Sequence, residues 1–357
     1  MSLIRSRLSG AVVAIVAGIA ACGSQNDFSV VLESQHPNTG VRLQAVSVVT
    51  SRVAWASGLA GTYARTLDGG ASWTVGVVPG ADSLQFRDVH AVSADTAYLL
   101  SAGPGELSRI YRTTDGGAAW TLQFMSDEPR AFFDCLDFWD GSHGVAFSDA
   151  VDGQFIIIRT EDGERWERVP PEHIPPALRG EGSFAASGTC VIARGTSDGW
   201  IGTGNASRAR ILETRDRGST WTAVETPVVA GEAAGITSVT FADARQGVAA
   251  GGEIGQALAD SARVAATSDG GLTWRSAGAP TFRGAVYGVA YVPDAHPPIL
   301  VAVGPGGASY SVDHGARWSP LDTLDYWGLG FAGPSAGWLV GPDGRITKVS
   351  FGKGMDP

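Results

Sequence analysis

Six aspartates recur in one local setting. Asp68, Asp115, Asp162, Asp216, Asp269 and Asp313 each stand two residues after a Ser or Thr and four or five residues before a Trp, at intervals of 47, 47, 54, 53 and 44 residues. A seventh, Asp343, has a neighbouring Gly but no such Trp. Carboxylates are candidates for general acid–base work or metal ligation. A group needed at the same place in every repeat points instead to a turn: the carboxylate accepts backbone N–H bonds, Gly supplies a positive φ, and Trp73, Trp120, Trp166, Trp221, Trp274 and Trp318 cover the hairpin.

A second constellation is cationic and aromatic. Arg42, Arg87, Arg130 and Arg283 lie at or just before short apolar segments that open successive repeats, with Arg179 in a longer lead-in, while Tyr287, Tyr326 and Trp327 occupy the corresponding places near the end of the chain. Converging arginines suit carboxylates or an acidic protein surface through bidentate pairing. The competing reading is structural, each Arg pairing with a neighbour such as Asp88, Asp127, Asp134 or Glu181. The six histidines, His36, His90, His143, His173, His296 and His314, show no metal-ligand spacing, and no phosphate-cradling glycine motif precedes a helix. No cofactor or metal is expected.

The elements that position these residues are strands. Of 357 residues 49 are Gly and 11 Trp, only 17% are charged, and 44% are hydrophobic, a turn-rich composition with ample material for a core. A net charge of −10 argues against nucleic acid as partner. Each repeat opens with an apolar strand (43–46, 86–89, 132–135, 236–239, 286–289, 326–329), followed by a Val/Ala/Trp-rich second strand (53–57, 145–148, 200–204, 248–252, 338–341) and a pair joined by the Asp turn. Four strands per unit of about 40 to 45 residues describe a propeller blade. The last unit lacks a fourth strand, and 28–33 alternates like the missing one. We therefore expect an all-β, seven-bladed β-propeller of four-stranded antiparallel blades over 28–352, its ring closed by the N-terminal strand. Blade four is the irregular one, because 183–190 lacks the spacing of its sister strands.

Ahead of this domain, Arg5 and Arg7 precede an apolar run at 8–21 too short to span a bilayer, ending Ile19-Ala20-Ala21-Cys22. This resembles a bacterial lipobox. It implies a signal peptide at 1–21, lipidation of Cys22, a linker at 22–27 and a tail at 353–357. The alternative is an ordinary signal peptide cut near Ala21. Gly23 after the Cys favours the outer membrane if the cell is Gram-negative, so the expected localisation is exported and lipid-anchored in the cell envelope. Cys135 and Cys190 then remain in an oxidising compartment. They fall at equivalent sites on adjacent blades, whose side chains point the same way round the ring. We expect two buried free thiols rather than a bridge.

The six turns resemble the Asp-box, or bacterial neuraminidase repeat: Ser/Thr, any residue, Asp, any residue, Gly, any residue, Ser/Thr, Trp. Nearly the whole mature chain is similar to the Asp-box propellers related to the photosystem II stability and assembly factor. That resemblance implies a monomeric, non-catalytic scaffold that binds a protein partner through a basic patch. Sialidases carry the same box and use an Arg triad, a Tyr nucleophile and an Asp acid/base. Here the Phe/Tyr-Arg-Ile-Pro segment of those enzymes is missing, the nearest sequence being Ile110-Tyr111-Arg112-Thr113. A glycoside hydrolase or lyase, with Tyr287 and Tyr326 facing the channel, is the alternative to a protein or anionic/glycan binding module. The long connections, 103–109, 149–154, 170–182, 205–210 and 252–263, all fall on one face, which is the expected binding face.

Overall fold

In the computed structural model, residues 28–256 and 262–353 are described. Residues 1–27, with Cys22, lie outside them. The chain forms seven four-stranded sheets. Their innermost strands are Leu43–Val48, Phe86–Ala91, Phe133–Phe138, Val191–Arg194, Ala234–Phe241, Gly288–Val292 and Gly328–Gly333 for blades one to seven. In blade seven the order runs from Gly328–Gly333 through Ala336–Val340 and Ile346–Lys353 to Phe28–Gln35 on the outside. Closure is antiparallel from Phe28 opposite Lys353 to Gln35 opposite Ile346. Gln35 Oε1 accepts from the indoles of Trp73 in blade one and Trp338 in blade seven, at 2.9 and 3.0 Å, fastening the seam on both sides. Among the described residues no helix is long and apolar enough to cross a membrane.

The core lies between blades rather than within them. Its seven buried clusters each join two neighbouring blades: Trp55 and Tyr63 of blade one pack on Phe86 and Leu99 of blade two, and Trp200 of blade four on Phe241 of blade five. Alternating strands offer one apolar side to each neighbour, so a blade has no core of its own and is stabilised by closing the ring.

The repeated Ser/Thr-x-Asp turns supply hydrogen bonds both within and between blades. Asp68 Oδ1 accepts the Ser72 N–H at 2.9 Å and the Thr66 hydroxyl at 2.9 Å, while Thr66 Oγ1 accepts the Gly70 N–H at 2.8 Å. The same pattern returns at Asp115, Asp216, Asp269 and Asp313, and in a tighter form at Asp162. Carbonyls of several turns are taken by the preceding blade: the Tyr63 hydroxyl donates to Gly117 O, Tyr98 to Gly163 O, and the Trp200 indole to Gly270 O.

One expectation is corrected here. Cys135 and Cys190 form a disulfide. Equivalent Cβ vectors do point the same way round the ring, but innermost strands converge near the axis, and a Cα separation of 6.0 Å lies within bridging range. The segment 183–189 is not a strand; regular pairing in blade four begins at Val191 opposite Ile201. Instead it crosses the axis. Arg87 of blade two donates to Ala185 O at 3.0 Å, Ser187 Oγ donates to Tyr287 O of blade six at 2.7 Å, and Thr189 Oγ1 meets Ser238 Oγ of blade five at 2.6 Å. Gly188, at φ +73°, lies so close to the Asp88 carboxyl and Ala45 that any side chain there would collide. The central channel is thereby plugged.

Candidate binding mouth

The plug turns the channel into a cup that opens on the long-connection face. A β-bulge in the innermost strands of blades one, two, three and five skips Gln44, Arg87, Asp134 and Thr237 in the pairing register. A bulge re-aims the residue it expels from the ladder. Tyr287 and Trp327 immediately precede the innermost strands of blades six and seven. The fold thus delivers a polar or aromatic group from six blades to one level, although the blades differ in what they carry.

Two hollows meet at Tyr287 and Trp327. One, of about 240 Å³, is bounded by Arg87, Asp134, Asp149, Phe184 of the plug, and Ile254; the other, of about 420 Å³, by Arg42, Leu59, Pro305 and Asp325. Tyr287 and Trp327 meet edge-on at 5.0 Å, and the Arg42 guanidinium lies 4.2 Å above the Trp327 ring. Arg42 Nε is buried with no hydrogen-bond partner. Arg87 is more committed: besides Ala185 O, it binds Gln85 Oε1 through Nη2 at 2.8 Å. Burial, then the nearby Arg42, pulls its pKa down, while Asp134 opposes them.

Three carboxyls around the plug are pushed the other way. Asp134 and Asp149 meet side chain to side chain, and burial raises both, Asp149 to about 6 and Asp134 well above the usual carboxylate range. Asp134 Oδ2 is buried and faces no N–H or O–H donor of the protein. Two carboxyls buried side by side in one hollow disfavour joint ionisation, so a proton is retained between them. Asp149 Oδ1 also accepts the Ser183 N–H at 2.7 Å, pinning the start of the plug, whose far end is held by the disulfide at Cys190. Asp88, buried behind the plug, is raised by burial while its Oδ2 accepts the Leu136 N–H at 2.7 Å.

The expected site residues separate. Arg42, Arg87, Tyr287 and Trp327 come together at the mouth. Tyr326 does not face the channel: it is fully buried, its hydroxyl donating to Asp322 Oδ2 at 2.6 Å, because Trp327 takes the inward place and alternation turns Tyr326 away. Arg130 lies on the exposed rim in a bidentate pair with Asp152, at 2.8 and 2.6 Å, which is the structural reading for that residue. Arg283 and Arg179 are exposed on connections and line neither hollow. The sequence reading missed the Asp134–Asp149 pair and the plug; the only signal was the missing strand at 183–190. A larger hollow, about 470 Å³, lies between the turns of blades two and three, where Arg112 pairs with Glu164 at 3.2 Å. Arg112 is held there by Glu164 through Nη1, although its Nε is buried without a hydrogen-bond partner. Among the described residues no cluster of three or more His, Cys, Asp or Glu could hold a metal ion.

No family model and no curated protein matches the sequence. Solved structures do. YCF48 from Cyanidioschyzon merolae superposes with a TM-score of 0.63 at 16% identity, covering 89% of this chain and 98% of that one. YCF48 bound to a D1 peptide gives 0.57 at 15%, covering 93% and 99%. The GH74 xyloglucanase of Xanthomonas campestris gives 0.62 at 15%, covering 90% of this chain but 55% of the enzyme. At these identities the likeness is one of fold: the chain is a seven-bladed β-propeller built like the YCF48 structures, an architecture that also occurs within a glycoside hydrolase.

Proposed function

We propose that this protein is an exported, lipid-anchored Asp-box propeller that acts as a non-catalytic binding scaffold, holding a partner protein by an anionic group at the plugged mouth. The observation that carries the reading is Arg42: a guanidinium stacked on Trp327, with a buried Nε left without a partner, at the lip of a hollow with aromatic walls. Such a group is preorganised for a carboxylate, since stacking fixes its plane before the ligand arrives. The structure of YCF48 with a peptide supports the same use of the fold. Cys22 would tether the domain to the envelope, and Tyr287 and Trp327 would flank the bound segment.

A glycosidase reading has the GH74 likeness and the mouth carboxyls Asp134, Asp149 and Asp325 in its favour. It would require two of these carboxyls to stand about 5 to 9.5 Å apart across a bound sugar, and turnover of a glycan by the folded domain would favour it.

The test is crosslinking of the tethered protein in its envelope, with captured proteins identified by mass spectrometry, comparing wild type with Arg42→Glu and, as a rim control, Arg130→Glu. A partner lost with the first and kept with the second is expected. Equal capture by all three would overturn the mouth as the binding surface.

A further inference from the structure

We propose that the mouth takes up a carboxylate-bearing ligand together with a proton, the proton being received by the Asp134–Asp149 pair. This rests on the anion-binding reading above and adds its chemistry. The hollow of about 240 Å³ has room for one side-chain-sized apolar group between Phe132, Phe184, Ile254 and Trp327. Its cation, Arg87, shares that hollow with the carboxyl pair. A ligand carboxylate drawn to Arg87 is therefore brought beside Asp134 and Asp149, of which Asp134 Oδ2 is buried and without a donor.

With one proton between them the two aspartates carry one negative charge, which repels the ligand. A second proton from solvent removes that charge and provides an O–H that can donate to the ligand carboxylate, so protonation and binding reinforce each other. Of the charged groups around the pair, Arg87 tempers the charge of Asp134 without overcoming burial, and the others are engaged elsewhere. From blade two come Arg87, already bonded to Ala185 O and Gln85, and Asp88, which accepts from Leu136 N. From the blade-four side come the Ser183 N–H and Glu181, the latter held by Arg210 at 2.5 Å. Across the mouth stand Arg42, Tyr287 and Asp325; the Cys135–Cys190 disulfide does not titrate. The raised pKa of Asp149, about 6, puts the uptake in an accessible range.

The experiment uses the folded domain and 3-phenylpropionate, whose carboxyl stays ionised above about pH 5.5, with 3-phenylpropionamide as the uncharged control. Calorimetry at about pH 5.5 and 7.5, in buffers of different ionisation enthalpy, gives affinity and protons bound. The expected result is affinity falling by up to about tenfold per pH unit above pH 6, with nearly one proton taken up at pH 7.5 and no such dependence for the amide. Asp149→Asn keeps an acceptor for Ser183 N–H but not the titrating charge. It should bind at pH 7.5 as wild type does at 5.5, with no uptake. Wild-type binding that is independent of pH, or uptake that persists in the variant, overturns the inference while leaving the anion site standing. Absence of binding at both pH values removes the anion site itself. Should Asp149→Asn fail to fold, Asp134→Asn and the wild-type proton count decide.

Discussion

The aspartates of the turns and those of the mouth are the same side chain in opposite circumstances. Asp68 and Asp269 lie in water-exposed turns, and hydrogen bonds, first from the hydroxyls of Ser72 and Thr273 and then from their N–H groups, hold their pKa near 2. Asp88, Asp134 and Asp149 are enclosed by the plug with few donors, and burial drives theirs up. The difference shows that burial, set against the donors that the local backbone aims at a carboxylate, decides whether it serves as a fixed staple or as a store for a proton. It also divides the molecule: the turn carboxylates are well supplied with donors, and those of the mouth are not.

The comparison can be broken most severely at the plug. Cys135→Ser with Cys190→Ser removes the covalent anchor of its far end and should cost about 2–5 kcal/mol in denaturant unfolding; an unchanged midpoint would mean that the hydrogen bonds of 183–189 suffice. On the turn face, Thr66→Val strands the N–H of Gly70, and a loss of about 1–3 kcal/mol is expected. Loss of less than that would show water replacing the hydroxyl.

A smaller, sharper contrast lies in pH. Raised carboxyls keep protons in the folded state that the unfolded chain has lost, so the mouth makes stability fall as pH rises from about 4 through 6, by about 1–3 kcal/mol for Asp149. Depressed carboxyls act oppositely: their contribution is complete above about pH 4 and is lost as pH falls towards 2. Thermal melts against pH should therefore peak between the two windows, and Asp149→Asn should flatten only the upper limb. A single-sided profile would contradict the division. Smallest of all, Arg130→Ala should leave the melting temperature unchanged, since its ion pair with Asp152 stands in solvent.

The fold was legible because Ser/Thr-x-Asp and Trp recur at blade spacing, and each turn is a local structure that its own residues dictate. Strand 28–33 could be placed because its alternation matched a visible vacancy in the last blade. The mouth was legible only in part. Arg42, Arg87, Tyr287 and Trp327 could be picked out from their offset to innermost strands, but Tyr326 was misplaced by one step of alternation. The plug makes contacts with five other blades through short residues, and nothing in 183–189 declares such partners. The disulfide was misread because direction round the ring can be inferred from equivalence, whereas the spacing of strands near an axis cannot.

The seam at Phe28 opposite Lys353 also bears on how the chain reaches this state. Hairpins of the inner repeats can form from near neighbours, but the final sheet must wait for segments from opposite ends of the domain to meet, at a loop-closure entropy that grows only slowly with length. Until then 28–35 is an unpaired edge able to recruit a foreign strand. Gln35 can accept from Trp338 of its own sheet and Trp73 of blade one together only once that sheet is complete and docked on blade one.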